Sequence, residues 1–177
     1  MEVPPRLKAL ARLLSPGGVV ADVGTDHALL PIYLIREGLA TRVIATDVER
    51  GPYSRALKRV EAEGLLDRID VRKGDGLEPL APGEAQEVVI AGMGGETIAA
   101  ILTRAHPSLL ATIDALVLGP MTGAAELRHW LDRNLYSPVA ECLVEDSGRI
   151  YEIIKVSRDL NHVQGAYLGE IWGGRPA

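Results

Sequence analysis

The sequence is poor in the residues that build disulfide frameworks and cysteine metal sites, since Cys142 is the only cysteine among its 177 residues. A single thiol can form neither an intrachain disulfide nor a cysteine cluster, so we expect a reducing compartment, with the cytoplasm as the default. The few histidines do not occur at metal-ligand spacing, so we expect no metal partner.

Long hydrophobic runs are also missing. The first stretch, MEVPPRLKALARLLSPGG, carries charges among its leucines and predicts an amphipathic helix, not a signal peptide or a membrane span. We therefore expect no membrane partner. Basic residues are not in excess either: the net charge of -5 argues against a broad surface for sequence-independent nucleic-acid binding.

What the chain does contain is an alternation of two patterns. Short runs rich in β-branched residues predict strands at 19–23, 42–46, 69–73, 87–91 and 115–119. Apolar residues recur at helical spacing in LLPIYLIREGL, YSRALKRVEAEGLL, ETIAAILTRA and AAELRHWLDRNL, which we interpret as crossover helices. Five such βα units are typical of a parallel sheet with helices on both faces.

The pattern changes after the fifth unit. From Pro138 to Val156 there are only two strand-like runs, VAECLVE and RIYEIIKV, joined by Asp-Ser-Gly, which predicts an antiparallel hairpin. We therefore predict a Rossmann-like α/β fold of the class I methyltransferase type. Its sheet would have seven strands, mostly parallel, and the domain would span residues 1–157. Residues 158–177 show weak periodicity and predict an irregular tail.

The strand ends carry the residues that could bind a ligand. Parallel sheets bind ligands over the carboxyl ends of their strands. The first strand ends in Asp22-Val23-Gly24, where a glycine permits close approach, but the three-glycine pattern of dinucleotide-binding proteins is missing. That gap makes a nucleotide-dependent oxidoreductase the least favoured interpretation. Asp22 could also be a plain strand-end residue and Asp26 a helix cap.

The ends of three further predicted strands also carry aspartates or glycines that could contact a ligand. Asp47, at an exposed strand end, could accept hydrogen bonds from ribose hydroxyls, and Asp75 could accept one from an adenine amine beside Gly76. The fourth strand ends in Ala91-Gly92-Met93, a sterically open shelf. A cofactor with adenosine but no phosphate suits this set, and S-adenosylmethionine has those parts.

Several segments together resemble one bacterial family, the tRNA (adenine(22)-N1)-methyltransferases. The resemblance covers roughly residues 5 to 157 and rests on these segments: DVGTDHALLPIYL, GPYSRALKRVEAEGLLDRIDVRKGDGLEPL, VVIAGMGGETIAAIL, AELRHWL and VEDSGRIYEIIKV. It implies a tRNA substrate, S-adenosylmethionine as cofactor and methyl transfer to N1 of an adenine.

The resemblance also implies roles for particular residues. It places Asp22, Gly24, Asp26 and His27 at the methionine end of the cofactor, and the rest of the site at Asp47, Val48, Asp75, Gly76, Ala91, Gly92 and Met93. Asp26 and His27 are the candidate catalytic residues, since a carboxylate or imidazole could orient the adenine amino group. The structural alternative is that Asp26 caps the helix beginning near Ala28, with His27 hydrogen-bonded beside it. Tyr151 is expected to be a core or rim residue.

Family members usually continue into a C-terminal helical domain that helps to grip tRNA, and LGEIWGGRPA looks like the beginning of that connection. Two alternatives therefore stay open: a methyltransferase for another RNA or a small molecule, and a catalytically silent cofactor-binding partner subunit.

Overall fold

Helices and strands alternate along the chain in the computed structural model, which describes residues 3–158. The strands are β1 (Gly18–Val23), β2 (Ala40–Asp47), β3 (Ile69–Lys73), β4 (Glu87–Met93), β5 (Ala115–Pro120), β6 (Tyr136–Asp146) and β7 (Arg149–Arg158). The helices are α1 (Pro5–Leu13), α2 (Leu29–Arg36), α3 (Arg50–Ala62), α4 (Gly95–Arg104), α5 (Pro107–Leu110) and α6 (Ala124–Arg133). A short 3₁₀ turn, Asp26–Ala28, precedes α2.

The strands form one sheet in the order β3-β2-β1-β4-β5-β7-β6. The first five are mutually parallel, whereas β7 pairs antiparallel with both β5 and β6. The predicted seven-stranded Rossmann-like sheet with a final antiparallel hairpin is therefore confirmed. The order reverses between β1 and β4, which is where open α/β sheets bind ligands.

The central strands are buried on both faces, which explains why they read as continuous apolar runs. Along β4, Val88 and Ile90 belong to one apolar cluster and Val89 to another, because successive strand residues point to opposite faces. Helices α4 and α6 cover the first face with Ile98, Leu102, Leu127 and Leu131. Helices α1, α2 and α3 cover the second with Leu10, Leu30, Ile32, Ala56 and Val60.

The expectation of five βα units is wrong at the third. Strands β3 and β4 are joined by residues 74–86, which form turns and contain no helix. This connection holds three glycines and two prolines, residues that favour turns and interrupt helices. The predicted irregular tail lies outside the described residues, apart from Arg158 at the end of β7.

Candidate functional site

A cavity of about 700 Å³ opens over the carboxyl ends of the parallel strands. That volume is in the range typical of small-molecule sites. All eleven residues singled out from the sequence line it: Asp22, Gly24, Asp26, His27, Asp47, Val48, Asp75, Gly76, Ala91, Gly92 and Met93. They come from four different strand ends, and the parallel register of the sheet brings them to one edge.

The turn after β1 is tied to the neighbouring strand. The backbone N–H groups of Gly24 and Thr25 both donate to the carbonyl oxygen of Thr46, at 2.8 and 3.0 Å. Gly24 has φ +78°, and a Cβ there would lie 2.3 Å from the methyl carbon of Met93. Glycine at this position therefore permits both the left-handed backbone and the close approach to β4.

Asp22 lies buried at the floor of the cavity. Burial raises the pKa of its carboxyl group from 3.8 to about 6, the nearby Thr25 hydroxyl acts in the opposite direction, and the Asp47 carboxylate raises it further. The group is thus ionised at neutral pH but lacks the solvation that an exposed carboxylate has. A cationic ligand group would stabilise it.

Thr25, which the sequence interpretation did not single out, carries an unsatisfied polar atom. Its hydroxyl oxygen is buried and makes no hydrogen bond of good geometry within residues 3–158, although it lies close enough to the Asp22 carboxylate to lower that group's pKa. Buried polar groups are nearly always hydrogen-bonded, and the group that this hydroxyl can satisfy is the neighbouring Asp22 carboxylate at the cavity. Nothing in the sequence separates this threonine from an ordinary turn residue.

Asp47 ends β2 at the cavity, but the expectation that it is exposed is wrong. It is only 8% exposed, because β2 lies between β1 and β3 and its end is enclosed by the turns that follow them. One carboxylate oxygen accepts a hydrogen bond from the backbone N–H of Glu49 at 2.9 Å. A carboxylate has further acceptor capacity, so Asp47 can still bind a ligand hydroxyl.

The helix-cap alternative for Asp26 is also wrong. Helix α2 has Ala28 at its N-cap and no side-chain cap hydrogen bond. The Asp26 carboxylate instead accepts a hydrogen bond from the Arg55 guanidinium on α3 at 3.0 Å. The His27 ring lies beside it, with Nε2 3.6 Å from the same oxygen, which is too far for a hydrogen bond. Both side chains are exposed at the cavity mouth.

The backbone at the cavity mouth is unusual. His27 and Ala28 have φ values of +61° and +51°, although neither is a glycine. Two consecutive left-handed residues other than glycine are energetically costly and often occur at functional sites. They turn the chain sharply between β1 and α2, which leaves the Asp26 and His27 side chains at the opening.

Asp75 lies on the loop after β3, and this loop is held against β2. The Thr46 hydroxyl donates to the carbonyl oxygen of Gly76 at 3.3 Å. The Asp75 carboxylate pairs with the Arg104 guanidinium, one nitrogen of which lies 3.1 and 3.0 Å from the two oxygens. Arg104 was missed from the sequence, because an arginine in the last turn of an amphipathic helix is normally only a surface residue.

The cavity continues beyond the predicted residues to the other side of β4. The lining there includes Met121 after β5, Tyr151 and Ile153 on β7, and Arg6 on α1. Tyr151 is half-buried, in agreement with the expected core or rim position. The sequence did not predict that it lines the cavity. Helix α1 and β7 are far apart in the sequence, and only the fold brings them together.

Two other properties concern the described part of the chain. Residues 3–158 contain no group of three or more His, Cys, Asp or Glu side chains that could hold a metal ion. In the same range, no helix is both long and apolar enough to cross a lipid bilayer.

Comparison with known proteins gives a consistent result. Residues 3–154 match the family model described as a methyltransferase domain. The chain is 40% identical over 149 residues to the tRNA (adenine(22)-N(1))-methyltransferase of Bacillus subtilis (strain 168), a match that covers 84% of this chain and 62% of that protein. The chain thus spans less than two thirds of the length of this curated relative.

Solved structures agree with the sequence match. The crystal structure of the B. subtilis M1A22 tRNA methyltransferase superposes with a TM-score of 0.85 at 37% identity, covering 89% of this chain and 67% of that one. The Streptococcus pneumoniae protein Sp1610, a putative tRNA (m1A22) methyltransferase crystallised with S-adenosyl-L-methionine, has a TM-score of 0.83 at 36% identity, covering 95% and 81%. With its fold, its strand-end cavity and these matches, the chain belongs to the methyltransferase-domain family.

Proposed function

We propose that this chain transfers a methyl group from S-adenosylmethionine to N1 of an adenine in tRNA, the adenine at position 22. One observation carries the proposal: a single cavity collects Asp22, Asp47 and Asp75 from three neighbouring strand ends. The similarity to the B. subtilis enzyme supports the same substrate. A tRNA substrate would also place the protein in the cytoplasm.

The cavity residues fit this cofactor. The buried Asp22 carboxylate, whose pKa is raised by desolvation, would accept a hydrogen bond from the cofactor's ammonium group. Asp47 would accept hydrogen bonds from the ribose hydroxyls and Asp75 one from the adenine amine. Gly24, Gly76 and Gly92 would let the cofactor approach the backbone, while Val48, Ala91 and Met93 would pack against it.

Methyl transfer from this cofactor depends mainly on how the protein positions the adenine against the methyl group. When bound, S-adenosylmethionine supplies a methyl group already activated by a sulfonium centre. The protein's task is then to hold adenine N1 in line with that methyl group and to exclude water. Asp26 is a candidate for orienting the adenine amino group, since Arg55 fixes its carboxylate at the cavity mouth. His27, beside it, is the second candidate catalytic residue.

We assign this activity to a domain of residues 1–157. The test is transfer of a labelled methyl group from S-adenosylmethionine to unmodified bulk tRNA, followed by nucleoside analysis. We expect N1-methyladenosine in the product. If calorimetry shows cofactor binding but no label reaches tRNA, the tRNA proposal fails for this chain. Label on another RNA or on a small molecule would then favour a methyltransferase with a different acceptor. If no acceptor receives label, the result would favour a catalytically silent cofactor-binding partner subunit.

A further inference from the structure

The cavity has two chemically different sides, separated by β4 in the middle of the sheet. On the side of β1, β2 and β3 the lining carries the carboxylates Asp22, Asp47 and Asp75. On the side of β5 and β7 the strands and the loop after β5 contribute the uncharged residues Gly119, Met121, Tyr151 and Ile153, and Arg6 of α1 is the charged residue beside them. If the cofactor takes the acidic side, as the proposed function requires, the apolar side remains for the group that receives the methyl.

Strand direction explains why Tyr151 faces this space. Because β7 runs antiparallel to β5, with Leu116 opposite Val156 and Leu118 opposite Ile154, the beginning of β7 lies at the carboxyl end of β5. Tyr151 and Ile153 are two residues apart, so they point to the same face of the sheet, and both line the cavity. The ring therefore stands at the same edge as the predicted cofactor residues.

The face of this ring is accessible to a planar group. The guanidinium of Arg6 on α1 lies over it, 5.7 Å from the ring centroid. The contact that holds Arg6 there is long, since its Nε is 3.5 Å from the buried Asp146 carboxylate, and the Arg6 side chain is itself 39% exposed. The Asp146 carboxylate also accepts a hydrogen bond from the Ser147 hydroxyl at 3.0 Å, so it keeps a partner when Arg6 moves. Cation–π contacts of an exposed arginine cost little to break, so a flat ligand can replace the guanidinium on the ring.

We propose that Tyr151 is the stacking surface for the acceptor adenine. This inference rests on the proposed function, in which the acceptor is a base. An enzyme that modifies the Watson–Crick edge of a base must take that base out of its stack, and an aromatic side chain then replaces the lost stacking. Two aromatic rings line the described cavity, His27 on the acidic side and Tyr151 on the other, where Met121 and Ile153 extend an apolar surface for a neutral base.

The experiment compares Tyr151→Leu with Tyr151→Phe and with Tyr53→Leu, a matched control on α3 whose tyrosine is also half-buried but does not line the cavity. For each protein we would measure the melting temperature, calorimetric binding of S-adenosylmethionine, and kcat/KM for methylation of unmodified tRNA. We expect Tyr151→Leu to lose about tenfold to a hundredfold in kcat/KM, the range expected for one base-stacking contact. Its cofactor affinity should stay within about twofold of the wild type.

Tyr151→Phe keeps the ring and should retain wild-type kinetics. Wild-type kcat/KM in Tyr151→Leu would overturn the stacking role while leaving the proposed function intact. An equal loss in Tyr151→Leu and Tyr53→Leu, accompanied by equal drops in melting temperature, would also overturn it, because the effect would then be one of stability. Failure of the wild-type protein to methylate tRNA despite binding the cofactor would instead overturn the proposed function, and this inference with it.

Discussion

Replacing Asp22 with asparagine should make the cofactor-free protein more stable at neutral pH. Burial raises the pKa of Asp22 from 3.8 to about 6, so the folded state holds the proton more tightly than the unfolded state does. The free energy of unfolding therefore falls as the pH rises from about 4 to about 6, and it stays low above that window. A shift of this size corresponds to about 3 kcal/mol at pH 8.

Asparagine has nearly the same shape and no charge, so Asp22→Asn should recover up to about 3 kcal/mol at pH 8 and roughly half of that at pH 5. Urea unfolding at the two pH values measures the difference directly. Asp67→Asn, at an exposed carboxylate, is the control and should change stability by less than about 0.5 kcal/mol at either pH. A gain for Asp22→Asn that is the same at pH 5 and pH 8, or a loss at both, would refute the argument from desolvation.

Three further predictions concern the same cavity. Affinity for S-adenosylmethionine should fall about tenfold between pH 7 and pH 5 as Asp22 gains its proton, and calorimetry of Asp22→Asn should show no such dependence. Asp47→Ala should weaken cofactor binding about tenfold to a hundredfold, the amount typical of lost hydrogen bonds to a charged group; unchanged binding would remove the ribose assignment. Gly24→Ala and Gly64→Ala should each cost about 1–2 kcal/mol in urea unfolding, because both glycines have positive φ. Only Gly24→Ala should also weaken cofactor binding, since only there does the new methyl group meet Met93.

The gain in stability expected for Asp22→Asn implies that the aspartate destabilises the free protein, so its benefit must come from ligand binding. A buried carboxylate without a cationic partner lowers the free energy of unfolding, and the same carboxylate becomes favourable once a cation binds beside it. The Asp22 carboxylate therefore lacks a cationic partner until a ligand binds. Its cost in the free protein is the expected trade of stability for binding.

Much of the fold and most of the acidic half of the cavity could be predicted from local sequence. Strands such as β4 are buried on both faces and so appear as continuous apolar runs, and crossover helices show their own period. Parallel strands necessarily bring their carboxyl ends to one edge, so Asp22, Asp47 and Asp75 could be assigned to one site from the sequence. The one missing helix, between β3 and β4, lies where glycine and proline override the alternation.

What only the tertiary structure decided is which side chains from distant segments meet. The sequence alone determined the order of strands and helices and the acidic strand ends, because hydrophobic period and turn chemistry are local properties. It could not pair Arg104 with Asp75 or Arg55 with Asp26, since both ion pairs join residues 29 positions apart. Nor could it place Tyr151 and Arg6 in the cavity, because their positions follow from the antiparallel return of β7 beside β5 and the packing of α1, and these are long-range contacts.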